Sequence, residues 1–192
     1  KVLHNKTLES GDFDFQGFRV QSYSLRQTIA NLAMGKIYPF YDVASLTKVI
    51  FTTQHFINGL QENKVNLQNK VKSFLPWYPH SRVTLGNLLN HSAGNEWWQP
   101  FYKKIDLNLT PEQRFTQMKK MCRQAPRTNF GKSVYSDIDF YLLGSVMEVV
   151  ESKPLIKVWD DVVKQFYPKS NFHFNYANQR QLAKSKYAPT ET

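Results

Sequence analysis

The sequence of 192 residues lacks several features that mark particular classes of protein. It has a single cysteine, Cys122, so no disulfide can form within the chain. No apolar run approaches the ~20 residues that a membrane-spanning helix needs. The five histidines do not show the spacing of zinc ligands, and no glycine-rich phosphate-binding loop occurs. The sequence therefore predicts no transmembrane segment, no metal and no cofactor.

Long blocks of like charge are also absent, although the formal net charge is +10. Such a charge can attract nucleic acid, an anionic membrane surface or an acidic polymer. The basic residues are scattered, however, and no nucleic-acid-binding motif interleaves them. Their densest clusters are Lys103-Lys104, Lys119-Lys120 and the pair Lys184 and Lys186. We interpret this pattern as a solvated basic surface and expect no nucleic-acid partner.

Hydrophobic side chains make up 41% of the sequence and aromatic side chains 15%, which is sufficient for a packed core. Apolar and polar residues partly alternate over residues 11–25, with a break near Gly17. A second β-like stretch runs over residues 29–33 and ends at Gly35. These two patterns predict short strands in the first part of the chain.

The periodicity becomes helical from Ser45 onward. Apolar positions recur at helical spacing within residues 46–60, 85–89, 138–150 and 155–166. Thr84 is expected to cap the second of these helices. A further helix is predicted to start at Thr110, where Pro111 and Gln113 complete a capping box.

The pair Ser45 and Lys48 is the sharpest candidate for chemistry. Residues three apart on a helix have Cβ atoms roughly 5–6 Å apart, so the two side chains can share a proton. A lysine can take the proton of a serine if burial lowers its pKa, and a helix amino terminus favours negative charge nearby. The alternative is a helix cap beside a solvated lysine, because Ser-x-x-Lys often arises by chance.

A second candidate element is Tyr135-Ser136-Asp137, in a loop just before a helix. A tyrosine beside a serine–lysine pair can relay a proton to a leaving group, and it needs a cationic neighbour to act as a base. The alternative is a packed loop tyrosine, with Asp137 capping the helix that follows.

The segment His-Ser-Ala-Gly at residues 91–94 partly resembles a nucleophile elbow. Asn90 stands where such an elbow has its first glycine, and no strand clearly precedes it. We therefore interpret His91 as structural.

Together, these segments resemble a known family. Residues 41–49 look like the nucleophile segment of the class C β-lactamase and D-alanyl-D-alanine carboxypeptidase family. Residues 83–94 resemble that family's "vT-LL-HtSG" segment, and residues 135–144 are similar to its Tyr-x-Asn element and the following helix. Residues 187–191 look like a segment from one branch of the family. The segments occur in the family's order, and the resemblance covers roughly residues 38–192.

The resemblance implies an α+β, penicillin-recognising serine hydrolase fold of the β-lactamase type. A helical region would bear the site, and this chain would supply only part of the antiparallel sheet. The implied reaction is acyl transfer, in which Ser45 attacks an amide or ester carbonyl, Lys48 is its proton partner and Tyr135 is the second acid/base. Asp137 stands where the family usually has asparagine, and the resemblance gives it a substrate-binding role.

One family element is missing, because no Lys-Thr-Gly or His-x-Gly tripeptide follows Tyr135. We therefore expect a single incomplete domain. Residues 1–40 would contribute to the sheet, residues 41–168 would form the helical region with the site, and residues 169–192 would lead to absent carboxy-terminal strands. Activity would then require the remaining part of the same protein, and the partner of this chain would be that part or a second copy.

By the same resemblance, the substrate would be a small molecule or a peptidoglycan-derived peptide. The small molecule would be a β-lactam or a simple ester, and the peptide would be a stem peptide. The same analogy implies a periplasmic or other extracytoplasmic location. Two alternatives stay open. One is a non-catalytic β-lactamase-like binding or regulatory module, which the missing third motif favours. The other is a basic surface-binding protein without a site.

Overall fold

The computed structural model describes residues 17–24, 27–106 and 108–172. The chain divides into two compact units, which are described separately. The first unit comprises Lys1–Ala44 and Asn175–Thr192, and the second comprises Ser45–Phe174.

The first unit contains a two-stranded antiparallel sheet. Strand β1, Gly17–Tyr23, pairs with strand β2, Thr28–Gly35. Gly17 lies opposite Gly35, and the register shifts once, between Ser22 and Tyr23. The predicted strands are therefore confirmed from Gly17 onward. The part of the first pattern before Gly17, and the family-like segment at residues 187–191, lie outside the described residues.

The second unit is helical. Its elements are a π-helical segment at Lys48–Thr53, α1 at Gln54–Gln61, α2 at Val71–Phe74, α3 at Leu85–Leu89, a 3₁₀ turn at Phe101–Lys103, α4 at Pro111–Gln124, α5 at Asp137–Glu151 and α6 at Leu155–Phe166. Helices and an antiparallel sheet of two strands confirm the α+β fold class. Helical periodicity predicted α1, α3, α5 and α6, and the capping box at Thr110 predicted α4.

Helix α5 lies at the centre of the hydrophobic core of the second unit. Its fully buried apolar side chains are Ile138, Leu142, Leu143, Val146 and Met147. The π-helical segment packs beside α6, where the Phe51 and Trp159 ring centroids are 4.6 Å apart. The π-helical segment at Lys48–Thr53 therefore packs, through Phe51, in the same core as α5.

Cys122 lies on α4 and is buried. Burial raises the pKa of its thiol to about 12. A thiol that stays protonated behaves as a small apolar side chain, so Cys122 belongs to the core.

Helix α4 starts with the capping box that the sequence predicts. The Thr110 hydroxyl accepts a hydrogen bond from the Gln113 amide at 3.3 Å, and the Gln113 side chain accepts one from the Thr110 amide at 3.0 Å. Thr110→Ala removes one of these bonds, and we expect the free energy of unfolding to fall by about 1 kcal/mol. Denaturant titration of both proteins measures this difference.

The matched control is Thr116→Ala, on an exposed position of the same helix. Alanine has the higher helix propensity there, so the control should not lose stability. Equal losses for the two variants would mean that the capping box contributes nothing.

In the described part of the chain, no helix has both the length and the apolar character needed to cross a membrane.

Candidate active site

The nucleophile segment starts at an unusual backbone conformation. Ala44 has φ 42°, in the left-handed region that residues with a Cβ rarely adopt. Ser45 follows in a turn, and the amide of Lys48 donates to the Ser45 carbonyl at 3.0 Å. Ser45 therefore lies just before the helix, and Lys48 lies within its first turn.

The helix widens into a π-helix directly at Lys48, where the sequence predicts ordinary α-helical periodicity. The Thr53 hydroxyl donates to the Lys48 carbonyl at 2.9 Å across five residues. From the other side, the Tyr167 hydroxyl donates to the Ile50 carbonyl at 3.0 Å. These side-chain bonds satisfy carbonyls of the widened turn, and π-helical turns of this kind often occur at functional sites.

Four side chains from two parts of the chain meet here. Ser45 Oγ lies 2.6 Å from the Tyr135 hydroxyl, and Lys48 Nζ donates to Ser45 Oγ at 3.2 Å. Lys48 Nζ also forms an ion pair with Asp137 Oδ1 at 2.7 Å. The Tyr135 hydroxyl donates to the same Asp137 oxygen at 3.2 Å. The structure thus brings together all four residues that the sequence singled out.

The charge state of Lys48 differs from the one that the sequence suggested. Burial acts to lower the pKa of Lys48, but the contacts with Asp137 and Tyr135 outweigh it and raise that pKa above its ordinary value. Lys48 is therefore an ammonium group at neutral pH. The condition for a neutral lysine base, a pKa lowered by burial, is not met in this arrangement, because a carboxylate lies against the amine.

His91 holds the loop that presents Tyr135. Its ring centroid lies 4.9 Å from that of Tyr135, and its Nδ1 accepts a hydrogen bond from the Ser136 amide at 3.1 Å. The His91 carbonyl also accepts from the Val134 amide at 2.8 Å. These contacts agree with the interpretation of His91 as structural.

Gly94 allows the same loop to approach closely. Its φ is +81°, and a Cβ at this position would lie 2.8 Å from the Thr128 carbonyl oxygen and 3.0 Å from the Phe130 amide nitrogen. The Thr128 amide donates to the Gly94 carbonyl at 2.7 Å. The glycine of the His-Ser-Ala-Gly segment is thus explained by backbone packing, not by catalysis.

A buried carboxyl group completes the support beneath the site. Asp139 Oδ2 lies 3.2 Å from His91 Nδ1, and Asp139 Oδ1 accepts a hydrogen bond from Asn95 at 2.7 Å. Burial raises the pKa of Asp139 to about 7, although Asn95 and the charge of Arg127 act to lower it.

The imidazole above this carboxyl group is neutral. Burial, followed by the charge of Lys48, lowers the pKa of His91, while Asp137 acts in the opposite direction. Since His91 Nδ1 already accepts from the Ser136 amide, that nitrogen carries no proton. Below about pH 7 the Asp139 carboxyl is protonated, and its O–H and the Ser136 N–H then share the single lone pair of His91 Nδ1, so the contact of His91 with Asp139 is not an ion pair.

Sequence reasoning missed two of these supporting residues and misplaced a cap. Asp139 and Asn95 were not singled out, although an aspartate between apolar neighbours on the inner side of a helix is a recognisable signal. The cap of α5 is Ser136, whose hydroxyl accepts from the Asp139 amide, so the alternative role of Asp137 as the cap is wrong. Ser136 can take that position because it immediately precedes the helix in extended backbone.

Within the described residues, no group of three or more histidine, cysteine, aspartate or glutamate side chains is arranged to hold a metal ion.

The fold is that of known penicillin-recognising proteins. It superimposes on the octameric penicillin-binding protein homologue from Pyrococcus abyssi with a TM-score of 0.68 and 17% identity, over 97% of this chain and 46% of that chain. It matches a class C β-lactamase from Rhodobacter sphaeroides with a TM-score of 0.64 and 18% identity, over 85% of this chain and 47% of that chain. At these identities the likeness shows the fold alone.

Sequence comparison identifies the family. Residues 40–185 match the Beta-lactamase family, so the chain belongs to that family, which consists of serine hydrolases. A protein of Escherichia coli (strain K12) named "Putative D-alanyl-D-alanine carboxypeptidase" is 26% identical over 126 residues, which are 60% of this chain and 29% of that protein. The chain thus spans less than a third of this curated relative and about half of the two solved structures.

Proposed function

We propose that this chain carries the nucleophile of a serine hydrolase that works through an acyl-enzyme on an amide or an ester. The proposal is supported above all by one observation. Ser45, Lys48 and Tyr135 have polar atoms within hydrogen-bonding distance, although Tyr135 lies 90 positions beyond Ser45. A packed loop tyrosine and a solvated lysine would have no reason to converge on one serine hydroxyl.

Each of the three side chains has a role in acylation. Ser45 Oγ attacks the carbonyl carbon, and its proton passes to the neighbouring Tyr135 hydroxyl. The Lys48 ammonium, 3.2 Å from Oγ, stabilises the negative charge that develops on this oxygen. On collapse of the tetrahedral intermediate, Tyr135 returns a proton to the leaving group, and water then hydrolyses the acyl-enzyme. The backbone amide of Ser45 is proposed as one donor to the oxyanion.

The substrate and location are proposed from the relatives. The family and the name of the Escherichia coli relative favour a carbonyl of the D-alanyl-D-alanine type, either in a peptidoglycan stem peptide or in a β-lactam, with simple esters as the other class. The same name supports an extracytoplasmic location. We further propose one β-lactamase-like domain over residues 1–192, which another part of the natural protein or a second copy would complete.

Covalent labelling tests this proposal. The natural protein is treated with a fluorophosphonate and, separately, with a penicillin-type probe, because both form esters with an activated serine. Trypsin then releases residues 37–48, a peptide in which Ser45 is the only serine. We expect mass spectrometry to locate the adduct in this peptide.

A matched control variant makes the labelling result specific. Ser81→Ala removes a hydroxyl that is also exposed but lies outside the site, and labelling should be unchanged. If neither probe nor any ester substrate modifies the peptide of residues 37–48, the non-catalytic binding module replaces the hydrolase as the better interpretation.

A further inference from the structure

Asp137 occupies a position in the site that an asparagine cannot fill in the same way. Its Oδ1 receives both the Lys48 ammonium, at 2.7 Å, and the Tyr135 hydroxyl, at 3.2 Å. An asparagine could accept the same two hydrogen bonds through its amide oxygen, but it could not take up a proton. The carboxylate therefore adds a chemical property and not only a contact.

The single proton of Tyr135 fixes the direction of the hydrogen bonds. Because the Tyr135 hydroxyl donates to Asp137, it has no second proton for Ser45. The bond of 2.6 Å between Ser45 and Tyr135 is then donated by the serine. The result is a continuous path from Ser45 Oγ through the Tyr135 hydroxyl to Asp137 Oδ1.

The Lys48 ammonium does not interrupt this path. It donates to Ser45 Oγ at one end of the path and to Asp137 Oδ1 at the other. As a cation with no lone pair it cannot accept the serine proton, but it stabilises the anionic form of either oxygen.

We propose that Asp137 is the terminal proton acceptor when Ser45 is acylated, and that Lys48 remains an ammonium group throughout. This inference rests on the proposed function. As the bond from Ser45 Oγ to the carbonyl carbon forms, the Ser45 proton passes to the Tyr135 oxygen and the Tyr135 proton passes to Asp137 Oδ1. The carbonyl electron pair moves onto its oxygen. When the intermediate collapses, the electron pair on the oxyanion re-forms the carbonyl and the bond to the leaving nitrogen or oxygen breaks. The proton returns from Asp137 through Tyr135 to that leaving atom.

The pH dependence of acylation reports which group accepts the proton. The titratable groups that act on Asp137 or are acted on by it are Lys48, Tyr135, His91 and Tyr141. If Asp137 is the acceptor, kcat/KM needs only the ionised carboxylate, so acylation proceeds at neutral pH and is lost on acidification. If Lys48 were the acceptor, activity would need the neutral amine and would appear only at alkaline pH.

The test is the pH profile of kcat/KM for Asp137→Asn in the natural protein, with a p-nitrophenyl ester as substrate. The variant must use Lys48 as the base. We therefore expect the pH below which kcat/KM falls, the acidic limb of the profile, to be higher by several pH units than in the wild-type protein. At pH 6 we expect a loss on the order of 100-fold, the usual contribution of a general base, with recovery above pH 9. Asp160→Asn, which removes a carboxylate from the surface of α6, is the matched control and should leave the profile unchanged.

Each other outcome has a definite meaning. If Asp137→Asn lowered kcat/KM by the same factor at every pH and left the acidic limb of the profile in place, Asp137 would only position Lys48 and Tyr135. That result would overturn the inference. A limb caused by His91 would move to lower pH in Asp137→Asn, because Asp137 acts to raise the pKa of His91, and this would overturn it as well. If the wild-type protein is not acylated at Ser45 at all, the proposed function fails and this inference fails with it. Labelling of Ser45 with an unmoved limb defeats the inference alone.

Discussion

Ser45→Ala is expected to lower the turnover of an ester substrate by the natural protein by about 10⁴–10⁶-fold, the range seen when a covalent nucleophile is removed. The hydroxyl supplies the bond-forming oxygen, and it also contacts both Lys48 Nζ and the Tyr135 hydroxyl. Its loss leaves Lys48 paired with Asp137, so the fold should be unaffected. Steady-state kinetics and a thermal melt of the same samples measure the two effects.

The double variant Ser45→Ala with Tyr135→Phe gives the sharper result. Tyr135→Phe alone removes the proton path but keeps the ring that packs on His91, and it should reduce kcat/KM by about 10²–10⁴-fold. In the Ser45→Ala background it should cost nothing more, since there is no serine proton left to move.

Additive losses would contradict the shared mechanism. If Tyr135→Phe lowered the residual activity of Ser45→Ala by the same factor as in the wild-type protein, Tyr135 would act on some other nucleophile. If Ser45→Ala retained turnover within tenfold of the wild type, Ser45 would be no more than a residue at a helix start.

The parts of the fold that could be predicted are those fixed by local sequence. The capping box of Thr110 and Gln113 and the cap of Thr84 are determined within four residues, and both are present. The strand that ends at Gly35 is likewise set by local alternation and a terminal glycine. Short-range hydrogen bonds of this kind need no information from the rest of the chain.

The π-helical turn could not be predicted. Six residues, Lys48–Thr53, are too few for periodicity to separate 3.6 residues per turn from a wider turn. One of the two side-chain hydrogen bonds to carbonyls of this turn comes from Tyr167, which lies 117 positions beyond Ile50. No local pattern contains that contact.

The members of the candidate site could be predicted, but their charge states could not. Serine–lysine spacing placed Ser45 and Lys48 together, and the family resemblance added Tyr135 and Asp137. Whether Lys48 is charged depends on how far its amine lies from a carboxylate 89 positions away in the chain, and the sequence does not give that distance. Asp139 was missed for the same reason, because its role depends on the imidazole and amide that fold over it.

The buried carboxyl of Asp139 leads to a strong prediction about stability and pH. In the folded protein its pKa is about 7, whereas in the unfolded chain an aspartate titrates near 4. Between these values the folded state binds the proton and the unfolded state does not, so the free energy of unfolding falls as pH rises from about 4 to about 7. A difference of about three pKa units corresponds to a loss on the order of 4 kcal/mol. The lowered pKa of His91 acts in the opposite direction below about pH 6.5.

Asp139→Asn isolates this effect, because an asparagine is the uncharged match of a protonated aspartate. Its amide oxygen can accept from Asn95, and its amide nitrogen would take the place of the Asp139 oxygen that lies 3.2 Å from His91 Nδ1. We expect the variant to be close to the wild type in stability at pH 4.5 and more stable than it at pH 8, with the gap growing by several kcal/mol in between. Denaturant titrations at intervals of one pH unit measure the gap, and Asp160→Asn, an exposed carboxyl on α6, should show none. If instead Asp139 were ionised and paired with a charged imidazole, Asp139→Asn would be less stable at pH 7 by roughly 3–5 kcal/mol, the cost of breaking a buried ion pair.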